Sequence, residues 1–256
     1  MKLHAIPLML LLLPLLMLVS CIPATTVPVR TTSFHRSEKE HRRSLVVFLP
    51  GRGDTVSSYE KEGFIQMLAR RGGSIDTIGV EAHLGYYRDR TLLQRLREDV
   101  IIPAKADGYR DIWLVGISMG GLGAVLYDTT YPGELSGLFL LAPYLGDGTL
   151  LKEISAAGGL ASWQPAIGGH DDLDHEIWQR LKGYTEGSKS AGRVFLGFGT
   201  NDRFADSNRA FAGVLPATQV VAVPGGHDWP TWKVLWPLVL DQSSLQSGGG
   251  TPSSEK

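Results

Sequence analysis

Short, continuously apolar segments alternate with longer amphipathic segments from Ser44 onward, and this alternation constrains the fold more than any other feature. A run without polar positions is typical of a strand that is buried on both faces, as in a parallel sheet. The amphipathic segments have the period of helices that would cover such a sheet on both sides. The pattern predicts an α/β protein with a mostly parallel central sheet. The predicted strands span residues 45–49, 75–80, 111–117, 135–141, 194–198 and 219–223.

Five amphipathic segments are predicted as helices. In the second of them, Leu92, Leu96 and Val100 fall on one apolar stripe, with charged residues largely outside it. The predicted helices span residues 58–71, 91–106, 119–130, 204–214 and 229–240. The segment 144–190 interrupts the alternation with two weaker helical stretches, near 149–156 and 173–182. We predict that this insertion is a small lid, because insertions above the carboxyl ends of the strands select the substrate.

The composition is that of one globular domain, which we assign to residues 44–241. Of its 256 residues, 43% are hydrophobic and 20% are charged, and the net charge is -1. A chain so close to neutrality carries no electrostatic signal for a polyanionic partner, so we predict that it does not bind nucleic acid. The sequence carries no signal for an oligomeric state.

The amino-terminal segment has the features of an export signal. An apolar run from Ile6 to Val19 follows the basic Lys2 and is shorter than the about 20 residues that a membrane-spanning helix needs. The stretch from Leu18 to Cys21 resembles the lipobox of bacterial lipoproteins, which implies that residues 1–20 are removed and that Cys21 is acylated. The alternative is a plain secretory signal that ends beside a stray cysteine.

Two segments outside the domain lack apolar periodicity. Residues 21–43 are rich in Thr, Pro, Ser and charge, and they are predicted to be a flexible tether. Residues 242–256 are predicted to be a disordered tail. Because Ile22 is not the aspartate associated with inner-membrane retention, the lipoprotein resemblance implies an anchor in the outer membrane, facing the periplasm.

A glycine-flanked serine lies where a predicted strand meets a predicted helix. The strand 111–117 runs into Gly116-Ile117-Ser118-Met119-Gly120, which opens the helix 119–130. In a nucleophile elbow the serine occupies a sharp turn, and the glycines let the strand and the helix approach each other closely. This context predicts that Ser118 is a nucleophile.

This arrangement resembles that of the α/β-hydrolase superfamily over residues 44–240, in which the order is nucleophile, acid, histidine. The resemblance implies that Asp202, after the strand 194–198, is the acid and that His227, after the last strand, is the base. Asp206 is the next candidate for the acid. Asp147 and Asp228 are further rivals, although the side chain of Asp228 is expected to point away from that of its neighbour.

An oxyanion hole requires two backbone donors, one of which comes from the residue after the nucleophile. Met119 occupies that position. The loop 49–54 resembles the Leu-His-Gly-x-Gly-Asp loop of carboxylesterases and acyl thioesterases, which implies that the amide of Arg52 is the second donor. Pro50 stands where the family often has histidine, and this departure leaves the donor amide intact.

Two further clusters are assigned structural roles. The segment 169–175 contains histidines and aspartates, but its spacing matches neither a zinc helix nor a calcium loop, and we predict no metal and no other cofactor. The tryptophans have two interpretations: Trp163, Trp178, Trp229 and Trp232 line an acyl or aryl pocket, or they belong to the core. Trp232 and Trp236 are spaced for helix packing against the core, and the core is the default assignment.

The sequence thus predicts a lipid-anchored serine hydrolase that cleaves small-molecule or lipid esters, or thioesters, through an acyl-enzyme. One alternative is an envelope acyltransferase that uses the same triad. The other is a non-catalytic envelope binding protein on a hydrolase scaffold.

Overall fold

The computed structural model describes residues 22–35, 44–71, 74–165, 173–185, 193–243 and 245. Cys21, the predicted signal peptide 1–20 and most of the predicted tail lie outside these residues, as does the segment 169–172. Within the described ranges, no helix is long and apolar enough to cross a membrane.

The described residues form a seven-stranded sheet with the strand order β1-β3-β2-β4-β5-β6-β7. The pairing of β1 with β3 is antiparallel, and the other neighbouring strands are parallel. This sheet confirms the predicted mostly parallel α/β architecture. The strands are β1 (Thr31–His35), β2 (Ser44–Leu49), β3 (Ile75–Val80), β4 (Asp111–Ile117), β5 (Gly137–Leu141), β6 (Val194–Gly199) and β7 (Val220–Val223).

The central strands are apolar because helices cover both faces of the sheet. Every residue of β2, β5 and β6 is buried, and their side chains form one continuous core with the helices. The helices are α1 (Ser57–Lys61), α2 (Phe64–Arg70), α3 (Leu84–Arg88), α4 (Leu92–Leu96), α5 (Ile102–Ala106), α6 (Met119–Thr130), α7 (Leu151–Ala156), α8 (Leu173–Lys182), α9 (Ala205–Ala212) and α10 (Trp229–Asp241).

Two predicted helices have a different form in the structure. The predicted helix 58–71 is two helices, because Gly63 between α1 and α2 adopts a φ of 86° that a helix interior does not allow. The predicted helix 91–106 is interrupted between α4 and α5 by a π-helical turn, Arg97–Ile101. Pro103 follows that turn and has no N–H to donate to the regular helical ladder.

The prediction of a flexible tether over residues 21–43 is wrong for residues 22–35. The strand β1 lies at the edge of the sheet, and the segment before it packs on the domain. The N–H of Val29 donates to Asp99 Oδ2 at 2.8 Å, and the N–H of Thr26 donates to the hydroxyl of Tyr86 at 3.0 Å. The sequence pattern missed this segment because an edge strand that faces water does not need apolar periodicity.

The predicted insertion 144–190 contains α7 and α8, close to the two predicted helical stretches. Helix α8 packs against α6, and α7 packs against α9. Arg180 of α8 donates to the hydroxyls of Thr129 and Thr130 at the end of α6, at 2.9 and 3.0 Å. The described part of the insertion is therefore fastened to the helix that follows Ser118.

Candidate active site

The candidate residues of the site all follow the carboxyl ends of parallel strands. Arg52 comes after β2, Ser118 after β4, Asp202 after β6 and His227 after β7. Because the carboxyl ends of parallel strands meet at one edge of the sheet, residues far apart in sequence converge there. The strand topology alone thus explains why the four positions share one region.

The turn at Ser118 is strained in the way that a nucleophile elbow requires. Ser118 has φ 53° and ψ -117°, a conformation that costs a non-glycine residue roughly 1–3 kcal/mol. A Cβ atom at Gly116 would clash with the backbone of Gly120, and one at Gly120 would clash with the backbone of Leu49. The glycines are needed because strand, helix and the loop after β2 are in backbone contact.

A continuous hydrogen-bonded chain links the three predicted side chains. His227 Nε2 lies 2.9 Å from Ser118 Oγ, and His227 Nδ1 lies 2.7 Å from Asp202 Oδ2. The carboxylate of Asp202 is fully buried, and the imidazole is 9% exposed. A buried anion at Nδ1 favours the tautomer in which Nδ1 carries the proton and Nε2 is free to accept the proton of Ser118.

Backbone contacts hold the acid and the histidine loop in place. The N–H of Phe204 donates to Asp202 Oδ1 at 2.7 Å, so the carboxylate is oriented through both oxygens. The N–H of Asn201 donates to the carbonyl of Gly225 at 2.9 Å and joins the two loops. Gly225 has φ 149°, and a Cβ atom there would clash with Thr231.

Two aromatic rings fix the plane of the imidazole. Phe204 and Trp232 contact His227 edge to face, with ring centroids 5.0 and 5.1 Å away. The sequence assigned Trp232 to the core, and the residue is indeed buried, with its ring perpendicular to the imidazole. The role of Phe204 was missed, because no pattern marks an aromatic residue that meets a histidine from another loop.

The structure separates Asp202 from its rivals. Asp206 is an exposed partner of Arg209, at 2.6 Å. Asp147 accepts the N–H of Thr149 at 2.9 Å. Asp228 caps α10 by accepting from Thr231, whose side chain and N–H lower the pKa of its carboxyl.

The two predicted oxyanion donors line the same cavity as Ser118. Met119 is the first residue of α6, so its N–H has no acceptor within the helix. A Cβ atom at Gly51, beside Arg52, would lie 3.6 Å from Ser118 Cβ. The loop is held by Tyr59, whose hydroxyl donates to the carbonyl of Leu49 at 2.7 Å and whose pKa is raised by burial. This contact supports the loop directly before Pro50.

A cavity of about 600 Å³ lies over Ser118. Tyr144 and three residues of α8, Leu173, Glu176 and Arg180, form part of its wall. The described residues of the predicted lid thus border the cavity. The tryptophans assigned to the core are absent from the described wall: Trp163, Trp178 and Trp236 are buried in the core, and Trp232 is buried next to His227.

Comparison with protein families identifies the chain. Residues 13–237 match the model of the Esterase family, described as "Putative esterase". The chain belongs to this family. The esterase is therefore a carboxylic ester hydrolase. This membership argues against the alternative of a non-catalytic binding protein.

Solved structures share the fold of this esterase at low sequence identity. A ferulic acid esterase is 17% identical, with 84% of this chain and 98% of that chain covered and a TM-score of 0.54. The S-formylglutathione hydrolase of Staphylococcus aureus is 13% identical, with 86% and 99% covered and a TM-score of 0.53. Est1E of Butyrivibrio proteoclasticus with bound ferulic acid is 16% identical, with 84% and 95% covered and a TM-score of 0.53. No curated protein sequence matches the chain.

Proposed function

We propose that the esterase cleaves carboxylic esters or thioesters through an acyl-enzyme on Ser118, with His227 as the general base and Asp202 as the residue that orients it. The observation that carries this proposal is the hydrogen-bonded chain from Ser118 Oγ through both nitrogens of His227 to Asp202. The Esterase family membership supplies the substrate class, a small-molecule ester.

In the first step, Ser118 Oγ attacks the carbonyl carbon while its proton passes to His227 Nε2. The bond to the leaving alcohol then breaks, and His227 returns the proton to the departing oxygen. Water repeats the same sequence on the acyl-enzyme and releases the acid. Asp202 remains ionised throughout and stabilises the imidazolium.

The negative charge that develops on the carbonyl oxygen is assigned to two amides, those of Met119 and Arg52. Two observations support this role: both residues line the cavity with Ser118, and Met119 is at the start of α6. A helix amino terminus stabilises negative charge, and one oxyanion donor typically contributes about 10²–10³-fold in kcat.

The acyl-enzyme step is tested with a fluorophosphonate probe and a rapid-mixing experiment. We expect one mole of probe per mole of protein, attached at Ser118, and a burst of nitrophenol of similar amplitude from a 4-nitrophenyl ester. Product analysis with added alcohols separates hydrolysis from acyl transfer to an acceptor. A probe attached elsewhere, or absent label with a folded protein, would contradict the proposal.

We further propose that the esterase is exported and anchored by a lipid on Cys21, in the outer membrane of a bacterium. Because Pro23 packs against α3, a lipid on Cys21 would be attached close to α3. A Cβ atom at Gly85 would clash with the carbonyl of Pro23, so the segment lies directly against α3. Only Ile22 separates Cys21 from Pro23, and two residues of chain span at most about 7 Å.

The anchor is tested by replacing Cys21 with alanine in a bacterial host. We expect the wild-type protein to incorporate a clickable fatty acid and to sediment with membranes, and the Cys21→Ala variant to do neither. A Ser155→Ala variant, exposed on α7, is the control for expression and export. A wild-type protein that carries no fatty acid would disprove the anchor.

A further inference from the structure

The cavity over Ser118 has an apolar interior that runs along one helix. Met119, Leu122 and Leu126 of α6 line one side at helical spacing, and Leu92 and Leu93 of α4 are part of the lining. We call this apolar part of the cavity the trough. From Ser118 to Leu126 the helix rises about 12 Å, so the trough has room for a hydrocarbon chain of moderate length.

The charged groups around this apolar interior are mostly positive. The described lining residues include four arginines and one glutamate: Arg52, Arg90, Arg180, Arg203 and Glu176. The guanidinium of Arg180 donates to Glu176 Oε1 at 3.1 and 2.8 Å, so these two charges neutralise each other. In the described part of the chain, the other three arginines form no ion pair.

The three arginines reach the cavity from separate elements. Arg52 follows β2, Arg90 follows α3, and Arg203 follows the acid Asp202. The guanidinium carbon of Arg203 lies 4.9 Å from the ring centre of Phe204, the ring that contacts His227. The guanidinium of Arg203 and the imidazole of His227 thus contact the same aromatic ring.

The backbone of Arg90 ends α3 in a tight turn. Arg90 has φ 54°, in the left-handed region that favours glycine, yet the position carries a long cationic side chain. Its N–H donates to the carbonyl of Tyr87 at 3.1 Å, and the N–H of Thr91 donates to that of Tyr86 at 3.0 Å. These two bonds form the Schellman motif that commonly ends a helix, so the φ of Arg90 belongs to the end of α3 and fixes where its side chain leaves the backbone.

We propose that the natural substrate of the esterase is an ester with a hydrocarbon part and a negatively charged group, and that Arg52, Arg90 and Arg203 bind the charge while the hydrocarbon occupies the trough. Arginine suits this role because its planar guanidinium binds carboxylate, sulfate or phosphate through two parallel hydrogen bonds. The proposal rests on the proposed function, since the charged group selects an ester that Ser118 then cleaves.

Two pairs of esters test the proposal, one for each side of the ester bond. On the acyl side, 4-nitrophenyl hydrogen suberate carries a carboxylate that is blocked in 4-nitrophenyl methyl suberate. On the alcohol side, 4-sulfo-1-naphthyl butyrate carries a sulfonate that 1-naphthyl butyrate lacks. For at least one pair we expect a kcat/KM ratio of anionic to neutral ester of about tenfold or more, which decreases as salt rises.

The variants Arg90→Gln and Arg203→Gln remove two of the charges and leave the backbone of Arg52 in place. We expect each substitution to lower the ratio about three- to tenfold, and Arg90→Lys to retain part of it. Arg110→Gln is the matched control, because Arg110 is exposed and precedes the amino-terminal end of β4. The cavity lies at the other end of the strands, after their carboxyl ends. We expect it to change the ratio less than about twofold.

The outcomes distinguish this proposal from the proposed function. Neutral esters cleaved without preference for the anionic member of either pair would overturn the substrate class alone. A ratio that the double variant Arg90→Gln with Arg203→Gln retains would also overturn it. Failure of the folded protein to cleave any of the four esters would instead overturn the proposed function.

Discussion

Replacing Ser118 with alanine should lower kcat/KM for short 4-nitrophenyl esters by about 10⁴-fold or more, as removal of a triad nucleophile commonly does. Alanine lacks the oxygen that lies 2.9 Å from His227 Nε2, so no acyl-enzyme can form. Steady-state hydrolysis of 4-nitrophenyl butyrate by the purified protein measures the effect, and loss of fluorophosphonate labelling accompanies it.

Thermal unfolding shows whether the Ser118→Ala variant is folded. Alanine at this position keeps the left-handed backbone of the turn, so we expect a stability within about 1 kcal/mol of the wild type. Ser155→Ala is the matched control, because Ser155 is exposed on α7, and it should retain full activity. Unchanged turnover by a purified, folded Ser118→Ala protein would eliminate Ser118 as the nucleophile.

Replacing Asp202 with asparagine should lower the turnover rate about 10⁴-fold while the protein stays folded. Asparagine has the shape of the carboxylate, and its carbonyl oxygen can still accept from the N–H of Phe204. The amide then donates to His227 Nδ1, which forces the proton onto Nε2 and removes the base that Ser118 needs. The measurement is the rate of nitrophenol release from saturating 4-nitrophenyl butyrate.

The rival acids supply matched controls for this substitution. Asp228→Asn should keep most of the activity, because asparagine also caps a helix and the side chain bonds to Thr231 rather than to His227. Asp206→Asn removes only an exposed ion pair with Arg209 and should be close to neutral. If Asp228→Asn is inactive and Asp202→Asn is active, the assignment of the acid is wrong.

The central strands were predictable because their environment is uniform. The strands β2, β5 and β6 are buried throughout, so their sequences contain continuous apolar runs whatever their neighbours in the sheet. The edge strand β1 has four exposed residues among its five, and nothing in its composition distinguishes it from a tether. Its position depends on pairing with β3, which is a tertiary property.

The candidate site was predictable only as far as strand ends and turn glycines specify it. Ser118 is marked by the glycines that allow backbone contact within one short segment. The aspartates at 202, 206 and 228 all follow late strands, and local sequence does not say which of them faces His227. The answer comes from the approach of the loop after β6 to the loop after β7, through Asn201 and Gly225.

The sequence by itself determined the order of strands β2 to β7, the strained turn at Ser118 and the loop that bears His227, because each depends on residues close together in the chain. Only the tertiary structure decided that Asp202 is buried against His227, that residues 22–35 pack on the domain and that Arg90 and Arg203 border one cavity. These relations join residues separated by up to about half the chain. Their distances follow from the packing of the sheet and helices, which periodicity and local motifs do not specify.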